Sequence, residues 1–329
     1  MKFLNKRSKS SSKVGEDGFK PTFKSRIEPF LYLLPFIVGI IIFTIYPTIN
    51  VFRYSFIDNL KHPLGKALST ECSLFLTNTT GNECSLNWGI SNYQYVLQDK
   101  YFLNALKNTF IYVVTVVPVS TCLAIAFAYL LNAKIKFRGV FQTIYFLPMV
   151  TSSIAVGICW KYLLNYRYGF INYILNSFGI SSVDWLGNAS NNIWALVIFG
   201  IWSILPFTII LLLAGLQNID ELYYTAAKVD GAKPFKIFRR ITLPLLRPTI
   251  ALVLIINTIS SFKVYSEIFP LFNGKAGITG NNLYTVVFYI YDQFFIQNKY
   301  GRASAAAIIL FIIIFIFTMV QRKITERKY

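Results

Sequence analysis

Residues 213–248 read LAGLQNIDELYYTAAKVDGAKPFKIFRRITLPLLRP, and the fold turns on this stretch. Leu222, Ala226 and Val229 recur at helical spacing, so Glu221 to Lys228 reads as a short helix. Gly231 after Asp230 is a place to stop or sharply turn that helix. A second segment, from about Pro234 to Ile241, sets Phe235 and Phe238 on one side. Lys236, Arg239 and Arg240 face polar surroundings there, and Pro244 is expected to break the path. The outcome is a compact helix–turn–helix with an aromatic face, suited to another protein's groove. Its composition also allows a basic loop lying on a membrane surface.

Long apolar segments flank this motif. The 329 residues are 55% hydrophobic and 14% charged, with a net charge of +18 and a mean hydropathy of +0.51. Soluble domains carry about 25% charged residues. A helix needs about 20 mostly apolar residues to cross the hydrocarbon. Six segments qualify, at 29–52, 108–133, 139–160, 193–217, 248–270 and 302–321. The expected fold class is therefore an all-α polytopic membrane protein. The 281–291 run is short for a span and is read as an exofacial or partly inserted helix. The apolar spacing of 165–190 suggests a short interfacial helix.

Charge sets the orientation. Twenty-one of the 32 basic residues fall in 1–30, 132–139, 217–247 and 321–329, segments that six spans place on one side. Basic loops mark the cytoplasmic side, so both termini are expected there. This distribution explains the positive charge without nucleic acid as a partner. The tail at 1–28 is too polar before a long first span to be a secretory signal. The organisation is a basic tail at 1–28, a first span and its exit at 29–56, an exofacial insert at 57–105, a core at 106–322 and a tail at 323–329.

The chain has one His and four Cys, too few and too scattered for a metal site. Cys72 and Cys84 lie in the insert and could close a small disulfide loop or remain two thiols. Cys122 and Cys159 lie within spans as small packing residues. No G-x-x-x-x-G-K-[ST] loop occurs, and no catalytic set is recognisable. An enzyme is therefore not expected, and no cofactor is assigned to this chain.

The order Ala226-Ala227-x-x-Asp230-Gly231-Ala232, then an aromatic segment and Leu243-Pro244-Leu245-Leu246-Arg247-Pro248, resembles the coupling loop of bacterial ABC importer permeases. The likeness is to the binding-protein-dependent sugar and glycerol-3-phosphate subgroup, with its type I importer transmembrane domain. Further landmarks are Ser55-Phe56-Ile57-Asp58, Asn92-Tyr93, Asn108-Thr109, Phe146-Leu147-Pro148 and Trp160-Lys161. They continue with Tyr168-Gly169, Ile171-Asn172, Asp184-Trp185-Leu186, Trp202, Pro206 and Gly301-Arg302-Ala303. The likeness covers about residues 30–322, and the insert around Cys72 and Cys84 fits it poorly.

The resemblance implies a permease subunit in the bacterial cytoplasmic membrane, importing a sugar or glycerol-phosphate-like solute. Its implied partners are a second permease, two ATPase copies that carry ATP and magnesium, and an extracellular or lipid-anchored solute-binding protein. Ala226 and Ala227 would permit close helix packing, Gly231 would make the turn, Asp230 could cap the second helix, and Ala232 completes the stretch that couples to the ATPase. Phe235, Phe238, Pro244, Arg247 and Pro248 would support the loop. The family's acid before the alanine pair is Thr225 here, and Glu221, one helical turn earlier, is a candidate substitute.

Hydroxyl and amide groups inside spans are candidates for the solute path. These are Ser120, Thr121, Thr151, Ser152, Ser203, Asn257, Ser260 and Ser261, although such groups also satisfy helix carbonyls or pack between helices. Lys263 and Glu267 stand at i,i+4 and read either as an intrahelical pair or as contacts to solute or receptor. The rival readings are a secondary transporter, with its driving-ion site inside the chain, and a membrane scaffold that moves no solute.

Overall fold

The computed structural model describes residues 23–58, 88–133, 138–274 and 282–326. Cys72, Cys84 and most of the 57–105 insert lie outside them. The chain forms two compact units, Met1–Asn50 and Val51–Tyr329. All regular elements among the described residues are helical.

Five helices are long and apolar enough to cross a bilayer. They are α1 (Tyr32–Ser55), α3 (Lys100–Asn132), α7 (Asn192–Gln217), α9 (Pro234–Phe262) and α12, which spans Tyr300–Glu326. Between α3 and α7 stand α4 (Arg138–Val150), α5 (Ser153–Leu163) and the short α6, Phe170–Ser177. The sequence reading placed one straight span at 139–160. In the structure this stretch is a pair bent by 108°. The break follows Pro148, and Ser152 adopts ψ 127°, outside the helical range. Counting the pair as one span gives six.

The core is built on α3 and α7. Tyr112, Val113, Val116 and Val117 of α3 meet Leu196, Val197 and Phe199 of α7 in one buried cluster. Further along, Ala124 and Ala128 let α7 approach at Ile209, Leu212 and Leu213, with Leu246 and Val253 of α9 closing the group. Small residues at such seams are how membrane helices pack without a hydrophobic driving force. Antiparallel α9 and α12 are tied by Gln321 Nε2 donating to Thr258 Oγ1 at 2.8 Å. Four residues on along α9 and four back along α12, Phe262 meets Phe317 edge-on at 5.6 Å.

The described part of the run at 281–291 packs against the other helices. It forms α11 (Val286–Ile296), whose Val286, Phe288 and Tyr289 are buried in the main cluster. Thr285 fixes its start by accepting from Phe288 N–H and donating to Val264 O. The start of this element thus belongs to the protein core, while Phe295 and Ile296 at its far end are exposed. Cys122 and Cys159 are free and exposed, so they line helix surfaces and do not fill packing gaps.

Several family landmarks turn out to be staples. In α2 (Ser91–Gln98), buried Asn92 donates to Ser55 O at 3.2 Å and Ile57 O at 3.0 Å, while Tyr93 donates to Ser55 Oγ at 2.8 Å. Asn172 donates to Val183 O and accepts from Val183 N–H and the Trp185 indole, closing the 165–190 segment. Asn108 donates to Asn282 O at 2.8 Å and Tyr284 O at 2.9 Å. Asn108→Ala would strand both carbonyls, and an unpaired buried polar group costs about 1–3 kcal/mol. The expected result is a thermal midpoint lowered by several degrees in the purified protein, with the hydrophobic variant Asn108→Leu no better.

Candidate functional site: a protruding turn and the polar groups of the spans

The quoted motif forms α8 (Glu221–Val229), a tight turn and the start of α9. Asp220 is the N-cap of α8, its carboxylate accepting from Leu222 N–H at 2.9 Å. The sequence reading passed over this role, although Asp directly before a periodic helix is a start signal. At the other end Ala232 N–H donates to Ala227 O at 2.9 Å and Gly231 N–H to Lys228 O at 3.0 Å. This pair of bonds is the Schellman closure, with its left-handed residue following the cap. Gly231 has φ +70°, the conformation in which a side chain is strained.

Asp230 caps differently from expectation. It occupies the C-terminal cap position of α8, while the N-cap of the next helix is Lys233 with no side-chain bond. Pro244 does not break the path either. Residues 234–262 form one helix, with a π-helical stretch at Phe238–Thr242 where Leu243 N–H reaches Phe238 O. The wider turn just before Pro244 lets the continuous helix take a residue with no N–H to donate. Pro248 lies within the same helix.

The turn is anchored underneath and bare on top. Ala227 and Ile237 are buried, Thr242 Oγ1 donates to Tyr224 Oη, and Phe238 packs on Tyr129 at 4.8 Å. Leu222, Val229 and Phe235 stand out at 72%, 83% and 74% exposure. Phe235 and Phe238 therefore serve different sides. Ala226 is exposed while Ala227 faces inward. Thr225 Oγ1 donates to Glu221 O at 3.1 Å, so its hydroxyl is committed to the helix, and the exposed Glu221 carboxylate is the acid nearest that position.

The polar candidates of the spans divide in two. Thr151, Ser152, Ser203, Ser260 and Lys263 are exposed, with Thr151 and Ser152 at the break between α4 and α5. Ser120, Thr121, Asn257 and Ser261 are buried. Asn257 pairs with Thr208 of α7, its amide donating to Thr208 Oγ1 at 3.0 Å. Ser120 bonds back to Val117 O. Thr121 Oγ1 and Ser261 Oγ have no hydrogen-bond partner. The buried four thus sit within this chain's own packing, and the other five are open on its surface.

Lys263 and Glu267 do not form an intrahelical pair, because α9 ends at Phe262, before both, and the chain turns. Lys263 points outward. Glu267 accepts from Tyr265 N–H at 3.3 Å. Sequence reading also missed an aromatic group where α5 meets α7, with Trp160 at 5.7 Å from Phe199 and 5.5 Å from Trp202. Trp160 and Trp202 are half-buried, so ring faces lie at the same helix pair that carries Ser203. A groove of about 470 Å³ lies elsewhere, lined by Phe52, Phe56, Ile90, Tyr93, Ile308 and Ile312. Its apolar lining has no partners to offer a polyhydroxyl solute.

Among the described residues no cluster of His, Cys, Asp or Glu could hold a metal ion. Residues 102–328 match the family described as "Binding-protein-dependent transport system inner membrane component". A trehalose/maltose transport system permease protein, MalF, from Thermococcus litoralis is 36% identical over 72% of this chain and 79% of its own length. An arabinooligosaccharides transport system permease protein, AraP, from Bacillus subtilis is 32% identical over 95% of this chain and 94% of its own. In fold, a chain from the crystal structure of a bacterial ABC transporter that imports the acidic polysaccharide alginate superimposes with a TM-score of 0.74. That match has 23% identity and covers 92% of this chain and 97% of the other.

Proposed function

The chain belongs to the binding-protein-dependent transport system inner membrane component family, and on that premise we propose that it is the permease subunit of an ATP-driven importer for an oligosaccharide. The fold is the type I ABC importer transmembrane domain, and the protein is a multi-pass component of the cytoplasmic membrane. The observation that carries the coupling half of the proposal is the turn itself. Its apolar side chains project from an anchored base, and none of the described residues covers them.

An ATPase groove would receive Leu222, Val229 and Phe235, as an apolar helix face fills a groove. Ala226, Asp230, Gly231 and Ala232 shape the approach. Two ATPase copies would bind ATP and magnesium, and a second permease of different sequence would complete the pore. An extracellular or lipid-anchored receptor would deliver the solute, with both termini of this chain cytoplasmic. ATP would favour the outward-open state because the closed ATPase pair binds the turn better in that state. The exposed hydroxyls of Thr151, Ser152, Ser203 and Ser260, with Trp160 and Trp202 nearby, are the proposed solute contacts. The names of the relatives support carbohydrate and lend nothing to glycerol phosphate, which stays in the solute scan as the competing class.

ATP hydrolysis by the assembled complex in lipid, scanned over oligosaccharides and glycerol phosphates with the receptor present, tests this reading. Saturable stimulation by one oligosaccharide is expected. Stimulation by a glycerol phosphate alone would reassign the substrate, and an intact chain that binds no ATPase would sink the proposal. Within that assay Glu221→Gln should lower stimulated hydrolysis about 3–10-fold, the scale of one charge-assisted contact. Thr225→Glu in the same background should restore it.

A further inference from the structure

The helix α9 is longer than a membrane requires. Its 29 residues extend about 43 Å, against a hydrocarbon thickness of about 30 Å. The 20 residues Leu243–Phe262 account for that thickness alone. The remaining stretch, 234–242, therefore continues about 13 Å beyond it, through the depth where lipid phosphates lie. Arg239 and Arg240 fall within about 6 Å of Leu243 along the axis. Arg247 sits one turn inside the apolar part, close enough for its long side chain to reach the same plane.

The charge here is unopposed along the chain. Arg239, Arg240 and Arg247 are exposed, as are Lys233 and Lys236, and no Asp or Glu occurs from 231 to 266. The contact of Phe238 with Tyr129 brings the end of α3 alongside. The apolar knobs Leu222 and Val229 belong to α8 and Phe235 to the first turn of α9, all before the phosphate-level arginines in the chain.

We propose that Arg239, Arg240 and Arg247 form a binding site for the phosphates of anionic phospholipids, holding the inner end of α9 at the membrane surface. The arginine fork matches phosphate oxygens in pairs, and basic residues beside a span each contribute about a fivefold preference for anionic headgroups. Lipid would then set the height from which the turn projects, so that the turn and the arginines address different partners. The site depends on the membrane placement of α9, and it does not require the assignment of transport direction or solute.

The test uses the purified full-length protein with its associated subunits, equilibrated with equal phosphatidylglycerol and phosphatidylcholine, and counts retained lipids by native mass spectrometry. Wild type should retain phosphatidylglycerol in clear preference. Arg239→Gln with Arg240→Gln should reduce that preference about 30-fold, and Arg239→Lys with Arg240→Lys should keep most of it. Val229→Asp, which alters the apolar knobs, should leave it unchanged even where the ATPase is lost. Equal retention of the two lipids by wild type would overturn the site. So would a glutamine pair that keeps its lipid preference but sheds the ATPase, because the arginines would then serve the protein partner.

Discussion

Val229→Asp combined with Phe235→Asp should release the ATPase from the complex while leaving the permease folded. Both side chains are largely exposed in this chain, at 83% and 74%, so their replacement removes little from the fold. Surface changes of this kind usually alter stability by less than about 0.5 kcal/mol. In a docked groove the balance is different. Burying a valine or phenylalanine contributes about 1.5–3 kcal/mol each, and an unpaired carboxylate in its place adds a desolvation cost of its own. Losing both should weaken association by at least about 100-fold, since each 1.4 kcal/mol is a factor of ten. Co-purification and size exclusion would read this directly, with Lys228→Ala as a surface control. A double variant that retains stoichiometric ATPase and wild-type hydrolysis would show that the turn is not the docking element.

The turn was legible because its signals are local. A periodic helix, a glycine in a position that needs φ > 0 and an aromatic segment after Pro234 each act within a few residues. The spans were legible as apolar mass, and their ends were not. α3 starts at Lys100, eight residues before the apolar segment that marked it, because Asp99 caps the helix by accepting from Tyr101 N–H. Hydropathy reports the hydrocarbon and takes no account of helical turns outside it. The same limit hid the continuity of α9 back to Pro234, where a π-helical stretch carries the chain through Phe238–Thr242.

The break between α4 and α5 was hidden for a different reason. Apolarity is continuous across it, and Pro148 within a span signals either a kink or a full break. Tertiary packing decides between them, and here α5 turns to pack on α10, Ile268–Phe272. Solute-path residues were the least legible. A serine that lines water and a serine that bonds its own helix have the same neighbours in sequence. Asn257 shows this well, since its amide is satisfied by Thr208, a partner 49 positions earlier.

Gly200→Val should be among the most damaging single changes to the fold itself. α3 and α7 make the principal seam of the core, and at this level Gly200 faces Tyr112, which is only 2% exposed. A Cβ on Gly200 would collide with the Tyr112 hydroxyl, with the ring carbons Cζ and Cε2 at 2.7 and 2.8 Å. The ring has little room to retreat, because Val113, Val116, Leu196 and Phe199 belong to the same buried cluster. Overpacking of this kind costs about 1–3 kcal/mol and sometimes more, and a β-branched residue adds two methyl groups to place. The expected result is reduced yield of folded protein and a lowered thermal midpoint, with Gly200→Ala intermediate. Tyr112→Phe removes the atom that meets the new Cβ first, so in the Gly200→Ala background it should recover part of the loss. In the wild-type background, Tyr112→Phe should cost less than Gly200→Ala. Recovery in the double variant would show that the two positions interact directly across the seam, whereas strictly additive losses would mean that α3 and α7 yield elsewhere to admit the methyl group.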